Sequence, residues 1–545
     1  MTEIQTKILS LLQEVDTICR ENGIEYYLEG GAILGALRHG GFLPWDDDSD
    51  ITMTRSNWEK FREVFFRDKP KDRALESPEL NPMYPTNTVR YIDTTTTSIW
   101  RSLMYDVCAC GVFVDIFILE DAPDDEEKLE QMKRDFIDYC EVINPFYRLS
   151  SLGDGARFRA HLKRCRRIGR RRVAEELNEK ILQYHGQPSQ RYLMRWGMRF
   201  QVYDKAIYGK PTYVPFEHIL LPIPERPIDY LIYQYGIDWH MIPEAEDVEL
   251  HDTLLDLHRG YRTYMDEYMP LLNKKKALRT NWKYKVLEME VLDYNKAYHR
   301  HIYGTAAAGA AAILRHKLAQ LPADPAVVFA KVTAENDALF DEVFGDYLIK
   351  QLNQWYLFFG VRVPIEDEVL SVVVSYLLRS GRCRQAEKLL LFRSQQAPLT
   401  SALDTVMASY RVLVDATVLF WSGKRAEAAR LLRETEGIAM PPVGTAICVF
   451  DEWMTATGDE SERLKERTEA LVCRWPQEDL FKLVYAGVLH SLGLTRSACE
   501  VAQELRAASR NGMVLRTLQT DPLFATLLPE GEYTPDVSTW KKEMT

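Results

Sequence analysis

Four aspartates occupy five positions, Asp46, Asp47, Asp48 and Asp50, and their spacing defines the chemistry open to this chain. If the segment enters a β-strand, Asp46, Asp48 and Asp50 share one face while Asp47 points to the other, because strand side chains alternate with period two. Two carboxylates roughly 4 Å apart repel by about 4 kcal/mol at an effective dielectric near 20. Three on one face need a proton, an arginine or a metal ion to offset that repulsion. Hard divalent cations with oxygen ligands, Mg²⁺ or Mn²⁺, are the natural partners. The competing reading is a solvated acidic loop, the usual fate of a like-charge run. A further acid, Asp115, lies within Val112–Leu119, which is otherwise apolar. A charge in such a strand must be paired, protonated or metal-bound. Asp115 is therefore expected to join the row as a metal ligand or general base, the alternative being a structural salt bridge.

The elements that must position these acids are legible around them. Ile24–Leu28 reads as a short strand, and Gly30-Gly31 permits a tight turn into a helix over Ala32–Leu37, whose exposed amides would receive a phosphate. Gly40-Gly41 and Pro44 return the chain, and Asp48–Thr54 reads as a second strand. Upstream, Ile4, Ile8, Leu11, Leu12, Val15 and Ile18 recur at helical spacing and predict an opening helix over 3–22, closed by Gly23. Ser56 with Glu59 predicts a capping box for a helix over 57–67. Val89–Trp100 and Gly111–Leu119 read as strands, and residues 125–145 as a helix.

The run Gly30-Gly31-x-x-Leu34-Gly35-Ala36-x-Arg38-His39-Gly40-Gly41-Phe42-x-Pro44-Trp45-Asp46-Asp47-Asp48-x-Asp50-Ile51 resembles the signature of the LicD family. These are phosphocholine transferases of the nucleotidyltransferase-like fold, related to fukutin-type sugar-alcohol-phosphate transferases. Val112–Leu119 is similar to the family strand that carries a further acid. Pro215–His251 is a weaker third match, through Pro222, Pro224, Tyr235-Gly236, Trp239 and Pro243. Glu29 departs from the small or polar residue expected before the glycines, and Ser49 from an aliphatic one; neither departure removes a carboxylate.

The resemblance implies an α/β nucleotidyltransferase-like catalytic domain over residues 1–262. Asp46, Asp48, Asp50 and Asp115 would hold Mg²⁺ (or Mn²⁺) against the pyrophosphate of a CDP-activated donor. Gly30 and Gly31 would let backbone amides approach the phosphates. Arg38 would clamp them, or else serve as a helix C-terminal cation. Asp115 or Asp46 would deprotonate the acceptor hydroxyl. The donor implied is CDP-choline, transferring phosphocholine, or a CDP-activated polyol. The acceptor implied is a cell-surface glycan or glycolipid precursor such as lipopolysaccharide, teichoic acid or capsule, with CMP released. Two alternatives stand beside this: a nucleotidyltransferase that attaches NMP to an acceptor, and a non-catalytic repeat-scaffold adaptor. The complete carboxylate set argues against the second.

At 545 residues the chain exceeds one ordinary core. Its net charge of −12 argues against a general nucleic-acid binder. Against that background, seven of the ten residues Lys163–Arg172 are basic. They are expected to meet anionic headgroups or an anionic acceptor polymer, or to form a solvated helix face; the aromatics of a nucleic-acid surface are missing. Met1–Lys7 lacks a signal-peptide pattern, no run reaches the length of a membrane span, and nine scattered cysteines read as reduced thiols. Cys108 and Cys110 read as core residues. A cytoplasmic protein is expected, with peripheral contact at the inner face of the membrane through 163–172.

Residues 263–303 suit a connecting helix, and residues 304–545 an all-α repeat domain. Gly381, Gly423, Gly458 and Gly493, at intervals of 42, 35 and 35, each separate two apolar helical segments. Ala386, Ala428 and Ala498 follow three of them by five residues; Arg463 takes that place in the remaining unit. This period resembles the tetratricopeptide repeat, in which stacked helix pairs complete one another's core, against the alternative of a generic helical bundle. A protein partner or an extended polymer is the expected occupant of such a surface.

Overall fold

The computed structural model describes residues 1–81, 84, 86–100, 108–143, 155–196, 199–243, 253–267, 269–271, 367–394, 398–435 and 442–528. His251, most of the connecting segment 263–303 and the alanine-rich run 304–314 lie outside them. The described residues fall into an N-terminal α/β domain with a mixed sheet and a C-terminal region that is all helix.

Thr2 and Gln5 close a capping box at the start of α1 (Glu3–Glu21), each side chain satisfying the other's backbone N–H. Then come β1 (Tyr27–Glu29), α2 (Gly31–Arg38), β2 (Asp50–Thr54) and α3 (Arg55–Asp68). Two expectations change here. The second strand opens at Asp50 rather than Asp48, and it runs straight into α3. The cap is therefore Thr54, whose hydroxyl accepts from the Asn57 amide at 3.4 Å, and Ser56 is already inside the helix.

Beyond β3 (Arg73–Glu76), the threonine-rich stretch forms two strands, β4 (Val89–Asp93) and β5 (Thr97–Trp100). Asp93 breaks it: its carboxylate accepts from the Thr95 amide at 2.9 Å and its carbonyl from the Thr96 hydroxyl at 2.8 Å. β6 (Val112–Ala122) leads to α4 (Glu126–Ile143), α5 (Gly155–Ile168) and α6 (Arg170–Leu182). The chain continues with β7 (Arg191–Trp196), β8 (Arg199–Asp204), α7 (Lys205–Tyr208), β9 (Thr212–Phe216), β10 (Ile219–Ile223), α8 (Pro227–Tyr235), β11 (Thr253–Asp256) and α9 (Tyr261–Glu267).

The main sheet has the order β1–β2–β6–β4–β3, with β7 and then β8 added along the far end of β6. β2 and β6 run parallel and every other pair is antiparallel. β6 is buried along nearly its whole length, which is why its sequence, Asp115 apart, is a continuous apolar run up to Leu119 rather than alternating. α1 and α3 pack on this sheet and bury Leu12, Val15, Trp58 and Phe61 completely.

The second unit comprises residues 231–242 and 288–532. Its described helices after residue 366 are α10 (Asp367–Arg379), α11 (Cys383–Ser394), α12 (Ser401–Trp421), α13 (Arg425–Glu434), α14 (Pro442–Thr455), α15 (Asp459–Arg474), α16 (Asp479–Ser491), α17 (Thr495–Ala508), α18 (Gly512–Thr520) and α19 (Pro522–Ala525). Gly381, Gly423, Gly458 and Gly493 all sit at turns between helices with positive φ, where a side chain would be strained. Ala386, Ala428 and Ala498 are fully buried. Small residues there let the second helix of each pair close on the first. Arg463 is exposed instead, and α14 packs mainly on α13 and α16, only sparsely on α15. Among the described residues, no helix is long and apolar enough to cross a membrane.

Candidate active site

Strand register builds the site. In parallel pairing Asp50 lies opposite Asp115. Antiparallel pairing sets Glu29 opposite Asp50 on one side and Arg90 opposite Asp115 on the other. Glu29, Asp50, Asp115 and Arg90 thus form one row across β1, β2, β6 and β4. Directly opposed residues project from the same face of a sheet, so the row carries three carboxylates and one guanidinium. Glu29, Asp115 and Arg90 are buried, and Asp50 keeps partial access to solvent.

Arg90 donates through Nε to Asp115 Oδ1 at 2.9 Å and lies over the Phe113 ring, 3.7 Å from its centroid. Asp115 is thus salt-bridged, as the alternative reading expected, and it stands in the acid row. Glu29 accepts hydrogen bonds from the hydroxyls of Tyr230 and, at 3.4 Å, Tyr208. Burial pushes the Glu29 carboxyl up to about 8, against the opposing pull of the Tyr230, Tyr208 and Gly30 hydrogen bonds. Burial raises Asp50 well above the carboxylate range as well, and the charges of Asp48, Asp115, Asp46 and Glu29 add to it. Asp50 is the point where four like charges converge.

Asp46, Asp47 and Asp48 come from the turn before β2 rather than from the strand. Period-two alternation therefore does not govern them, and one carboxylate oxygen from each lies within 4.8 Å of the others. Asp47 joins its neighbours instead of facing away. The glycines of the signature make this turn fit. A Cβ on Gly31 would stand 2.8 Å from Asp46 Oδ2, one on Gly35 would collide with the Gly41 carbonyl, and one on Gly41 with the Glu217 carboxylate. Glu217, at a positive φ between β9 and β10, accepts from the Phe42 amide at 3.1 Å and donates its own amide to the Gly40 carbonyl at 2.7 Å. From α1, Gln5 donates to the carbonyls of Leu43 and Asp46 at 3.1 and 3.0 Å. The loop is braced from both sides.

Gly30 takes a positive φ at the cap of α2, and its amide donates to the Tyr230 hydroxyl at 3.0 Å. Arg38, in the last turn of α2, is buried with its guanidinium 5.7 Å from the Trp45 ring centroid. The arrangement is an all-oxygen donor set with excess negative charge, the kind of set that suits a hard divalent cation. Glu29, Arg90, Tyr208, Tyr230 and Glu217 were not recognised in the sequence as parts of this site. Only Glu29 carried a signal, as a charged residue directly before the glycines.

A family model matches the segment that carries the acid loop. Residues 23–83 match the family model described as LicD/FKTN/FKRP, nucleotidyltransferase domain. The chain is 30% identical over 128 residues to the lipopolysaccharide cholinephosphotransferase LicD of Haemophilus influenzae, covering 23% of this chain and 46% of that protein. It is 34% identical over 95 residues to the human ribitol 5-phosphate transferase FKRP, covering 13% of this chain and 19% of that protein. An uncharacterised protein of Rickettsia prowazekii, RP689, is 41% identical over 44 residues, 8% of this chain and 16% of its own. These matches span less than half the length of each relative. They support the LicD family for the part of the chain that carries the acid loop.

Proposed function

We propose that the N-terminal domain, residues 1–262, is a LicD-type phosphotransferase of nucleotidyltransferase-like fold. It would transfer a phosphorylated group, in the first place phosphocholine from CDP-choline, to a hydroxyl of a cell-surface glycan precursor. The relatives named for cholinephosphate and ribitol 5-phosphate transfer support the reaction class. The single observation that carries the reading is the charge row Glu29–Asp50–Asp115, paired with Arg90 and flanked by the Asp46–Asp48 turn.

In this reaction the acceptor oxygen forms a bond to the phosphorus bearing choline, the anhydride bond to the second phosphorus breaks, and CMP leaves with the electron pair. Asp46, Asp48, Asp50 and Asp115 would hold Mg²⁺ or Mn²⁺, which would neutralise charge developing on the departing phosphate. Arg90 holds the Asp115 carboxylate in one direction through its 2.9 Å hydrogen bond. We assign the acceptor's proton to Asp46, which stands on the turn rather than in the strand row. The Gly30 amide is committed to Tyr230, so a donor phosphate at this turn would meet the amides that follow it in α2, with Arg38 at the other end of that helix. We read the C-terminal helices as tetratricopeptide-like, a reading supported by the positive-φ glycines and buried alanines of the turns, and assign them a protein partner.

Incubation with CDP-choline and Mg²⁺ and a glycan acceptor is expected to release CMP. Pyrophosphate released from CTP, with nucleotide left on the acceptor, would replace this reading with nucleotidyl transfer at the same site.

A further inference from the structure

The basic run Lys163–Arg172 takes no part in the acid row. It forms a helical hairpin: α5 ends at Ile168, Gly169 turns with φ +89°, and α6 begins at Arg170. Arg164 reaches across the turn to Glu176, while Arg171 and Arg172 pair with Glu175 and Glu176 at 2.9 and 3.3 Å. Those three arginines are balanced. Lys163, Arg166 and Arg167 are exposed, and among the described residues no carboxylate pairs with them. Ile168, at the apex beside them, is 39% exposed. Arg170 and Arg171 line a cavity with Arg55 and Glu79, and Arg55 directly follows β2. Asp50 opens that strand, about 17 Å away at strand rise. The cationic tip is remote from the acids.

We propose that this tip, residues 163–170, docks on the surface of a bilayer that carries anionic lipids. The surplus cations are local, on a chain whose net charge is −12. A long polyanion laid along the protein would meet repulsion beyond the tip, whereas a bilayer surface needs only the local cations. The hairpin is a convex end of two helices, not a groove that tracks a strand, and residues 163–172 contain no aromatic to stack on bases. Ile168 would enter the headgroup boundary, with the aliphatic stems of the arginines alongside it. Each basic residue near an anionic leaflet strengthens binding about fivefold. The proposal stands apart from the transferase reading and does not depend on it.

The test is cosedimentation of the full-length chain with phosphatidylcholine vesicles, with and without phosphatidylglycerol. Binding is expected only to the anionic vesicles and is expected to weaken with salt. Arg166→Gln with Arg167→Gln should weaken it about 25-fold, and Ile168→Ser about tenfold, both with unchanged helical circular dichroism. These side chains are exposed, so folding should not depend on them. Equal binding to both vesicle types, or wild-type binding by both variants, would overturn the proposal. So would variant-sensitive binding to single-stranded DNA or a soluble anionic polysaccharide without binding to vesicles.

Discussion

β2 and β6 carry charge at both ends, and the two ends are built on opposite principles. Where the strands start, Asp50 and Asp115 lie opposite each other with Glu29 beside them, and Arg90 is the row's one cation. Where they finish, Arg55 and Arg195 hold Glu120, the latter at 2.8 Å, and Arg55 also holds Glu79 at 3.0 Å. Both anions there are met by cations, Arg62 adding a further contact to Glu79 at 3.6 Å. Burial works to raise Glu120, but the guanidinium groups of Arg195 and Arg55 win and hold it below the ordinary carboxylate range. Asp50 is driven up by burial, and its acidic neighbours add to the rise instead of opposing it. A balanced buried cluster fastens the fold; an unbalanced one leaves electrostatic work for a ligand to do.

Substitutions should therefore separate the two ends. The largest effect is expected from Asp50→Ala, which should lower turnover about 1000-fold. It should leave the urea midpoint of the metal-free protein unchanged or higher, since a repelling charge is removed. Glu120→Ala should do the reverse. It leaves Arg55 and Arg195 buried without their shared partner and should cost about 3–5 kcal/mol in urea unfolding. Equal destabilisation by the two variants would erase the distinction. Gly31→Ala is expected to act more mildly, displacing the Asp46 carboxylate by a few tenths of an ångström. A loss of about tenfold in turnover with near-normal stability would fit.

The gentlest perturbation is pH alone. Glu29 is raised to about 8 in the folded chain, against an unfolded value near 4.5, so the folded state binds the extra proton between those limits. Its contribution is fully present below pH 4.5 and is lost as pH rises toward 8. Urea midpoints measured in chelator should fall across that window, and Glu29→Gln should flatten the fall. A midpoint that rises from pH 5 to pH 8 and is unaffected by Glu29→Gln would contradict the assignment.

The sequence revealed the acid run, the glycine turns and Asp115, because each is a local pattern with a physical reason attached. It placed the second strand two residues early, since nothing local distinguishes an acid that opens a strand from one in the turn before it. That error carried Asp47 to the wrong face. The other half of the row was not legible. Glu29 and Arg90 come to Asp50 and Asp115 through strand register, and Tyr230 and Glu217 arrive from residues some 200 positions away in the chain. In the helical region the glycines and alanines marked the turns well. Arg463, the one departure from that pattern, coincides with the loosely paired helices α14 and α15.

The most direct test compares wild type and Asp50→Ala for divalent-dependent CMP release from CDP-choline, and from a CDP-polyol in parallel. The account predicts release by the wild type with at least one donor, its loss in chelator, and its near-absence in the variant. Undiminished release by Asp50→Ala, or pyrophosphate release from CTP in place of CMP from either donor, would contradict it.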